Sequence, residues 1–358
     1  MSHAAPNDTR FANPLRTAVI GLGRIGYKFH VPAILRHPGF KLIAVADPLE
    51  ERRAEASSAY AIPAFATLDD LLQAVRPELV VIASPTPFHV PQACTAYTSG
   101  AHVLCDKPVA TTVADFDTIL AAARRRERKF LSYQPARLQP EVQALRSLLA
   151  RGVLGDIHLI KRARCDFERR RDWQAFRANG GGMLNNYGSH CLDELIALLG
   201  AESVRTVFCQ TRCVATAGDA EDMVKATLVM DRGGIFDLDI SQACALPGPP
   251  WQVVGSRGAA LFDAEARVWR LRYFLPEEAP PLVAQGGLAA EGRTYSSEKL
   301  PWHEESMAVA DLGVPDYYDA AWGFFRENRP PPVTTEESRR LLVLIERCRR
   351  SADTGACA

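Results

Sequence analysis

Short apolar runs alternate with amphipathic segments through the first third of the chain. The segments between the runs predict helices, and the runs themselves predict strands at residues 17–20, 40–46, 79–83, 101–105 and 130–133. Continuously apolar strands are buried on both faces, which requires a parallel sheet with helices above and below it. The pattern therefore predicts a doubly wound α/β domain over residues 15–134, preceded by a flexible polar tail over residues 1–14.

Strict alternation of apolar and polar positions replaces the continuous runs beyond residue 135. It covers residues 156–167, 224–230 and 236–240, as expected of half-buried strands with antiparallel neighbours. In the first of these segments one face carries Ile157, Leu159, Ala163, Cys165 and Phe167, and the other carries His158, Arg162, Arg164 and Asp166. We predict an α+β domain over residues 135–358 with a large, mostly antiparallel, open-faced sheet.

A helix predicted over residues 186–199 can cover one face of that sheet. The other face is then left to solvent or to a partner subunit, so we expect a homodimer or homotetramer that forms through the sheet. Residues 247–250 and 276–293 are rich in Pro, Gly and Ala and predict loops. Thr334 and Glu337 have the spacing of a capping box and predict the start of a final helix.

Composition and charge exclude several classes of partner. Lys plus Arg and Asp plus Glu both number 42, so the formal charge is zero and no global field favours nucleic acid or an anionic membrane. No apolar run approaches the roughly 18 residues of a membrane span. The polar start of the chain has no apolar signal segment, which favours a cytoplasmic location.

The nine cysteines are scattered, and their odd number favours reduced thiols. Cys209 and Cys213 are four positions apart, but no second pair of Cys or His residues completes a zinc site. We therefore expect no metal.

Residues 21–26 form the glycine pattern Gly-Leu-Gly-Arg-Ile-Gly between a predicted strand and an amphipathic segment. In this context Gly21 permits a tight turn, Gly23 lets the backbone approach a pyrophosphate, and Gly26 allows close packing of helix on strand. The pattern predicts a Rossmann-type dinucleotide site, with Arg24 and Ile25 among its contacts.

Asp47 follows the next predicted strand, 21 positions past Gly26. That is near the spacing of about 20 at which a carboxylate binds the ribose hydroxyls of NAD. The same carboxylate would repel a 2′-phosphate, so we expect NAD and consider NADP less favoured. Arg52 and Arg53 can compensate in principle, although solvated helix charges are the simpler interpretation of both.

Two further segments follow predicted strands. The carboxyl ends of parallel strands meet at the edge of the sheet where ligands bind, so both segments are expected at that edge. One is Ser-Pro-Thr-Pro at residues 84–87, followed by a histidine, and the other is Asp-Lys-Pro at residues 106–108. A lysine at the second position would face the nicotinamide. The predicted cofactor contacts of these segments are Ser84, Thr86, Pro87, His89, Asp106 and Lys107.

Three consecutive glycines at residues 180–182 precede the predicted helix that carries Asn186, His190 and Asp193. The three polar side chains share one helical face and can point into a cleft. A buried histidine that is hydrogen-bonded to a neighbouring carboxylate is the common alternative. The flexible backbone of the three glycines beside a histidine and an amide favours a functional site instead.

Taken together, these motifs resemble the glucose-fructose oxidoreductase, inositol dehydrogenase and MocA family (Gfo/Idh/MocA) over nearly the whole chain. The resemblance implies that His190 takes a substrate hydroxyl proton while Lys107 polarises that oxygen and hydride passes to the nicotinamide. Family members typically have Glu where this chain has Asp106 and Asp where it has Asn186. An amide at position 186 can only orient its neighbours, and Asp193 is a candidate to replace the missing carboxylate.

Basic residues before the triglycine give the only indication of the substrate. They are Lys161, Arg162, Arg164, Arg169, Arg170, Arg171 and Arg177. An acidic or phosphorylated sugar would fit Arg164, although a solvated or subunit-facing basic strand is the alternative explanation of the arginines. Trp173 can stack on a sugar ring, and simple packing is the alternative for this residue.

Three functions remain open from the sequence. The first is an NAD-dependent oxidoreductase that interconverts a secondary hydroxyl and a ketone on a sugar, polyol or sugar derivative. The second is an NAD-dependent glycoside hydrolase or lyase with transient sugar oxidation, and the third is a non-catalytic NAD-binding regulator.

Overall fold

The computed structural model describes residues 9–200, 204–284, 298–310 and 312–358. Most of the predicted tail, residues 1–8, and residues 285–293 of the predicted loop lie outside these ranges.

The first sheet has six parallel strands and contains every strand predicted for the first third of the chain. Its strands are β1 (Leu15–Ile20), β2 (Phe40–Ala46), β3 (Ala64–Phe65), β4 (Leu79–Ile82), β5 (His102–Asp106) and β6 (Phe130–Tyr133). They are adjacent in the order β3-β2-β1-β4-β5-β6, so the direction of winding reverses between β1 and β4. Ligands of doubly wound sheets bind at the carboxyl ends of the strands beside such a reversal.

Nine α-helices occur in the described ranges. They are α1 (Val31–Arg36), α2 (Glu50–Tyr60), α3 (Leu68–Val75), α4 (His89–Thr98), α5 (Val113–Arg125), α6 (Pro140–Arg151), α7 (Ser189–Leu199), α8 (Tyr317–Glu327) and α9 (Thr335–Thr354). Helices α3, α4 and α5 bury one face of the first sheet, and α1 and α8 bury the other. Helix α8 thus packs on the first sheet although it follows the second sheet in the chain.

The second sheet has eight strands. They are β7 (Ile157–Cys165), β8 (Val204–Arg212), β9 (Met223–Met230), β10 (Ile235–Ser241), β11 (Trp251–Gly255), β12 (Gly258–Asp263), β13 (Val268–Tyr273) and β14 (His303–Ala308). Their order is β14-β13-β12-β11-β7-β10-β9-β8, and β7 and β10 form the one parallel pair among them. The predicted mostly antiparallel sheet is therefore confirmed, and α6, α7 and α9 cover one of its faces.

The faces of β7 are the reverse of what its apolar residues suggest. Ile160 and Arg162 are buried beneath the helices, whereas Phe167, just beyond the strand, is 58% exposed. Arg162 can point inward because the Glu194 carboxylate of α7 lies 2.7 Å from its Nε and compensates its charge. Alternation thus identified the strand but not the face that is buried.

The capping box before α9 is confirmed. The Thr334 side chain accepts from the Glu337 backbone N–H, and the Glu337 carboxylate accepts from the Thr334 backbone N–H. Within the described ranges, none of the helices is long and apolar enough to cross a membrane.

Candidate active site

A cavity of about 1020 Å³ opens between the carboxyl edge of the first sheet and the segment leading into α7. On the side of the glycine loop, the predicted residues that line it are Gly21, Gly23, Arg24, Ile25, Asp47, Ser84 and Thr86. Asp106 and Lys107, at the end of β5, line it from the same sheet edge, and Arg164, Trp173, Asn186 and His190 line it from the opposite wall. The tertiary structure therefore brings together residues that the chain separates by up to 169 positions.

The three glycines of residues 21–26 have different physical roles. Gly21 has a φ of +91°, and a Cβ there would lie 2.5 Å from the backbone nitrogen of Ser84. A Cβ on Gly26 would lie 1.8 Å from the carbonyl oxygen of Gly21, so this glycine is required for packing. Around Gly23, by contrast, the nearest atom to a Cβ is an Arg52 guanidinium nitrogen at 4.0 Å. Space is kept open there, where the pattern places a pyrophosphate.

Asp47 directly follows β2, and its carboxylate is fixed in place. Its oxygens accept hydrogen bonds from the backbone N–H of Leu22 at 2.7 Å and of Leu49 at 2.9 Å. The Arg52 guanidinium lies 3.4 Å from the same carboxylate and lines the cavity, while Arg53 donates to the backbone oxygens of Asp47 and Pro48. Arg52 keeps 42% of its side chain exposed and Arg53 is only half-buried, so both arginines combine these contacts with solvation.

Pro87 and His89 do not line the cavity, which corrects their predicted place among the cofactor contacts. His89 is buried, and its ring nitrogens lie 2.8 Å from the carbonyl oxygen of Ser84 and 3.0 Å from that of Pro108. The imidazole thus fastens the Ser84 loop to the turn that carries Lys107. Its contribution to the site is to hold two loops together.

Lys107 is held by a single residue on the opposite wall. Its Nζ donates to the backbone oxygen of Asn186 at 3.0 Å and to the Asn186 Oδ1 at 2.8 Å. Burial lowers the pKa of Lys107 to about 8, and burial raises the pKa of its neighbour Asp106 to about 6. Among the described residues no carboxylate accepts from this ammonium group, so the lysine is less firmly protonated than one in a salt bridge.

The Asn186 amide is itself oriented by Gln174, which also lines the cavity. Gln174 Oε1 lies 3.4 Å from Asn186 Nδ2 and also accepts from the Arg170 guanidinium. With its nitrogen engaged in this way, the amide presents its oxygen to Lys107. No motif or spacing indicated Gln174, because its role comes from folding residues 12 positions apart against each other.

His190 lies one helical turn beyond Asn186 and lines the cavity. Its Nδ1 is buried and has no hydrogen-bond partner within the described part of the chain. Burial, together with the positive charges of Lys107, Arg162 and Arg164, holds the pKa of His190 well below its usual range. The imidazole is therefore neutral near pH 7 and can accept a proton.

Asp193 does not face the cavity, which corrects its predicted place beside the substrate. It is fully buried and accepts two hydrogen bonds from Arg137, at 2.9 Å from Nε and 2.7 Å from Nη2. Arg137 also pairs with Glu337 at 3.0 Å, so the Asp193 carboxylate links α7 to the start of α9. It cannot replace the carboxylate missing at position 186.

No cluster of His, Cys, Asp and Glu side chains suitable for a metal ion occurs among the described residues. Each of the nine cysteines is a free thiol.

The fold and the site define a dinucleotide-binding oxidoreductase, and the comparisons identify its family. The family model described as the oxidoreductase family, NAD-binding Rossmann fold matches residues 15–134, and the Gfo/Idh/MocA C-terminal domain matches residues 142–261. A relative named D-glucoside 3-dehydrogenase from Escherichia coli is 30% identical over 65% of this chain and 71% of its own length. The chain belongs to the Gfo/Idh/MocA family and is an NAD-binding oxidoreductase.

Two further comparisons cover nearly the whole chain. The uncharacterised oxidoreductase YdgJ of Escherichia coli is 26% identical over 93% of this chain and 94% of its own length. The solved structure of an NAD-binding protein from Listeria innocua superposes with a TM-score of 0.83 at 22% identity and covers 97% of both chains. This structural likeness confirms the predicted fold.

Gly23→Ala is expected to weaken NAD binding about 10- to 100-fold without unfolding the protein. The added Cβ has room within the protein but occupies space beside the predicted pyrophosphate, and a charged hydrogen bond is worth about 1.5–3 kcal/mol. Titration of cofactor by fluorescence measures the change. Gly248→Ala is the matched control, because a Cβ there meets no atom within 4 Å. Equal NAD affinity in the two variants would contradict the assigned role of Gly23.

Asn186→Asp is expected to extend activity to more alkaline pH. A carboxylate 2.8 Å from the Lys107 Nζ would favour the ammonium form, so the loss of activity on the alkaline side would move above pH 8. The new carboxylate would also face Gln174 Oε1, which is held by Arg170, so we expect a lower melting temperature. Profiles of kcat/KM against pH test the expected shift. If the loss of activity at alkaline pH were the same in both proteins, Lys107 would not be the group that titrates in that range.

Proposed function

We propose that the protein interconverts a secondary hydroxyl and a ketone on a sugar, polyol or sugar derivative. The observation that carries this proposal is the meeting of Lys107, Asn186 and His190 in one cavity with the glycine loop. The name of the D-glucoside 3-dehydrogenase supports a sugar as substrate. The open space beside Gly23 and the fixed Asp47 carboxylate fit NAD at the other end of the cavity.

The residues divide the chemistry between them. NAD, when bound, supplies the acceptor for the hydride that leaves the hydroxyl-bearing carbon. Lys107, protonated and aimed by Asn186, donates a hydrogen bond to the substrate oxygen and stabilises its developing negative charge. His190, neutral and lining the cavity, takes the hydroxyl proton. In the reverse direction histidinium returns the proton to the ketone oxygen.

The experiment that tests the proposal is a screen of NAD-loaded protein against sugars, polyols, sugar acids, sugar phosphates and glycosides. NADH absorbance and the product mass are measured together. Stoichiometric NADH with loss of two hydrogens from the substrate supports the proposal. Bond cleavage without NADH release would favour a hydrolase or lyase, and cofactor binding without any turnover would favour a regulator.

The assembly and location are also proposals. The face of the second sheet that the helices leave uncovered carries the partly exposed Phe208 and Ile235 together with the Lys225–Asp237 ion pair, and a mixed face of this kind can pack on a second copy. We propose a homodimer or homotetramer through this face in the cytoplasm, where free thiols stay reduced. Light scattering of the protein and of a Phe208→Asp variant tests the interface.

A further inference from the structure

Three arginines in the segment from β7 to the triglycine differ in how their charge is compensated. Arg162 is paired with Glu194 at 2.7 Å. Arg170 lies 3.2 Å from the carboxylate of Asp172 and 3.6 Å from that of Glu168. For Arg164, the structure has no carboxylate within salt-bridge distance across the ranges that it describes, and its charge is left for another partner.

Arg164 also lies where a ligand can reach it. It lines the same cavity as His190, and its guanidinium carbon is 4.8 Å from the centre of the Tyr187 ring. Stacking occupies the flat face of a guanidinium and leaves its N–H donors, which point outward in the plane, free to bond. Tyr187 sits between Asn186 and His190 in the chain, so this contact places the cation beside the proposed base.

We infer that the substrate carries an anionic group, a carboxylate or a phosphate, which pairs with Arg164. The inference rests on the proposed function, because it places the anion in the same cavity as the proposed Lys107 and His190 pair. Planar guanidinium donors match both carboxylate and phosphate oxygens, and such pairs are often bidentate.

An anion at Arg164 would also act on the reaction itself. The positive charge of Arg164 opposes protonation of His190, in addition to burial and the charges of Lys107 and Arg162. A bound anion would neutralise that charge, so His190 would become a stronger base when the substrate is in place. An uncharged sugar would bind more weakly and would also leave the base less effective.

The test compares Arg164→Gln with Arg171→Gln in NADH-loaded protein. Arg171 is exposed, does not line the cavity and carries the same charge, so it controls for net charge. Binding is measured by the change in NADH fluorescence on titration with glucuronate, galacturonate and glucose 6-phosphate, each against its uncharged parent sugar. Comparing the sugar acids with the sugar phosphate shows which anion the site takes.

We expect at least one anion to bind more tightly than its parent, and Arg164→Gln to weaken that anion about 10- to 100-fold, as expected for loss of a charged hydrogen-bonded contact. Arg171→Gln should change nothing, and Arg164→Lys should restore part of the affinity. The inference is wrong if no anion binds more tightly than its parent, or if Arg164→Gln weakens charged and uncharged sugars equally.

The two proposals fail in different ways. Turnover of an uncharged sugar that Arg164→Gln leaves unchanged would overturn the anion inference and retain the oxidoreductase proposal. Anion binding that depends on Arg164, without NADH formation from any substrate, would overturn the proposed reaction and retain the anion site.

Discussion

Lys107→Met is expected to lower kcat by about 10²- to 10³-fold, the cost of removing one donor from a developing oxyanion. Methionine has a similar length and no charge, so it fills the space between Asp106 and Asn186 while leaving the substrate oxygen without its proposed donor. Affinity for NAD should change little, because the predicted main anchors of the cofactor, Gly23 and Asp47, are unaltered. Steady-state kinetics and cofactor titration on the same preparation measure both effects.

The matched control for Lys107→Met is Lys129→Met, a change of the same type outside the cavity. Lys129 donates to the backbone oxygen of Phe324 at 2.6 Å, which is a structural contact. It should lower stability and leave kcat of the folded protein near the original value. If Lys107→Met retained full turnover with the true substrate, Lys107 would not be the group that polarises the oxygen.

His190→Asn is expected to lower kcat/KM by about 10²- to 10⁴-fold, the range for loss of a general base. The amide can occupy part of the imidazole space and form a hydrogen bond, but it cannot accept a proton at neutral pH. The pH profile distinguishes this chemical effect from damage to the fold.

The two proposed groups set opposite sides of that profile. His190 must be neutral, so activity should fall only as the pH drops through a value well below 6.5. Lys107 must be protonated, so activity should fall as the pH rises through about 8. His190→Asn should abolish the acidic dependence and retain the alkaline one. If the His190→Asn variant still lost activity on both the acidic and the alkaline side, the group that titrates on the acidic side would be a residue other than His190.

Asn186 gains a physical explanation that the sequence lacked. In the absence of a carboxylate, Lys107 is held by two oxygens of one residue, and the orientation of the amide is set by Gln174 and Arg170. The lysine therefore stands in an ordered polar network with Asn186, Gln174 and Arg170.

Sequence alone was sufficient wherever a local rule applied. Continuous apolar runs identified the parallel strands, because the burial of a strand shows in its own consecutive residues. The glycine pattern with Asp47 indicated the dinucleotide site, because the geometry of the turn depends on neighbouring residues. A strand end and a triglycine before a helix likewise indicated Lys107 and His190, both of which line the cavity, and their catalytic roles stay a prediction.

Only the tertiary structure decided which groups pair with each other. Asp193 lies three residues after His190, on the same face of α7, but its carboxylate is bound by Arg137, 56 positions earlier in the chain. Arg162 and Arg164 lie on the same face of β7, yet of the two only Arg162 has a carboxylate within salt-bridge distance among the residues that the structure describes. Periodicity fixes the face of an element on which a side chain lies, whereas the charge and hydrogen-bond partners that it meets depend on which distant element packs against that face. The sequence therefore located the site, and the packing of distant segments determined its electrostatics.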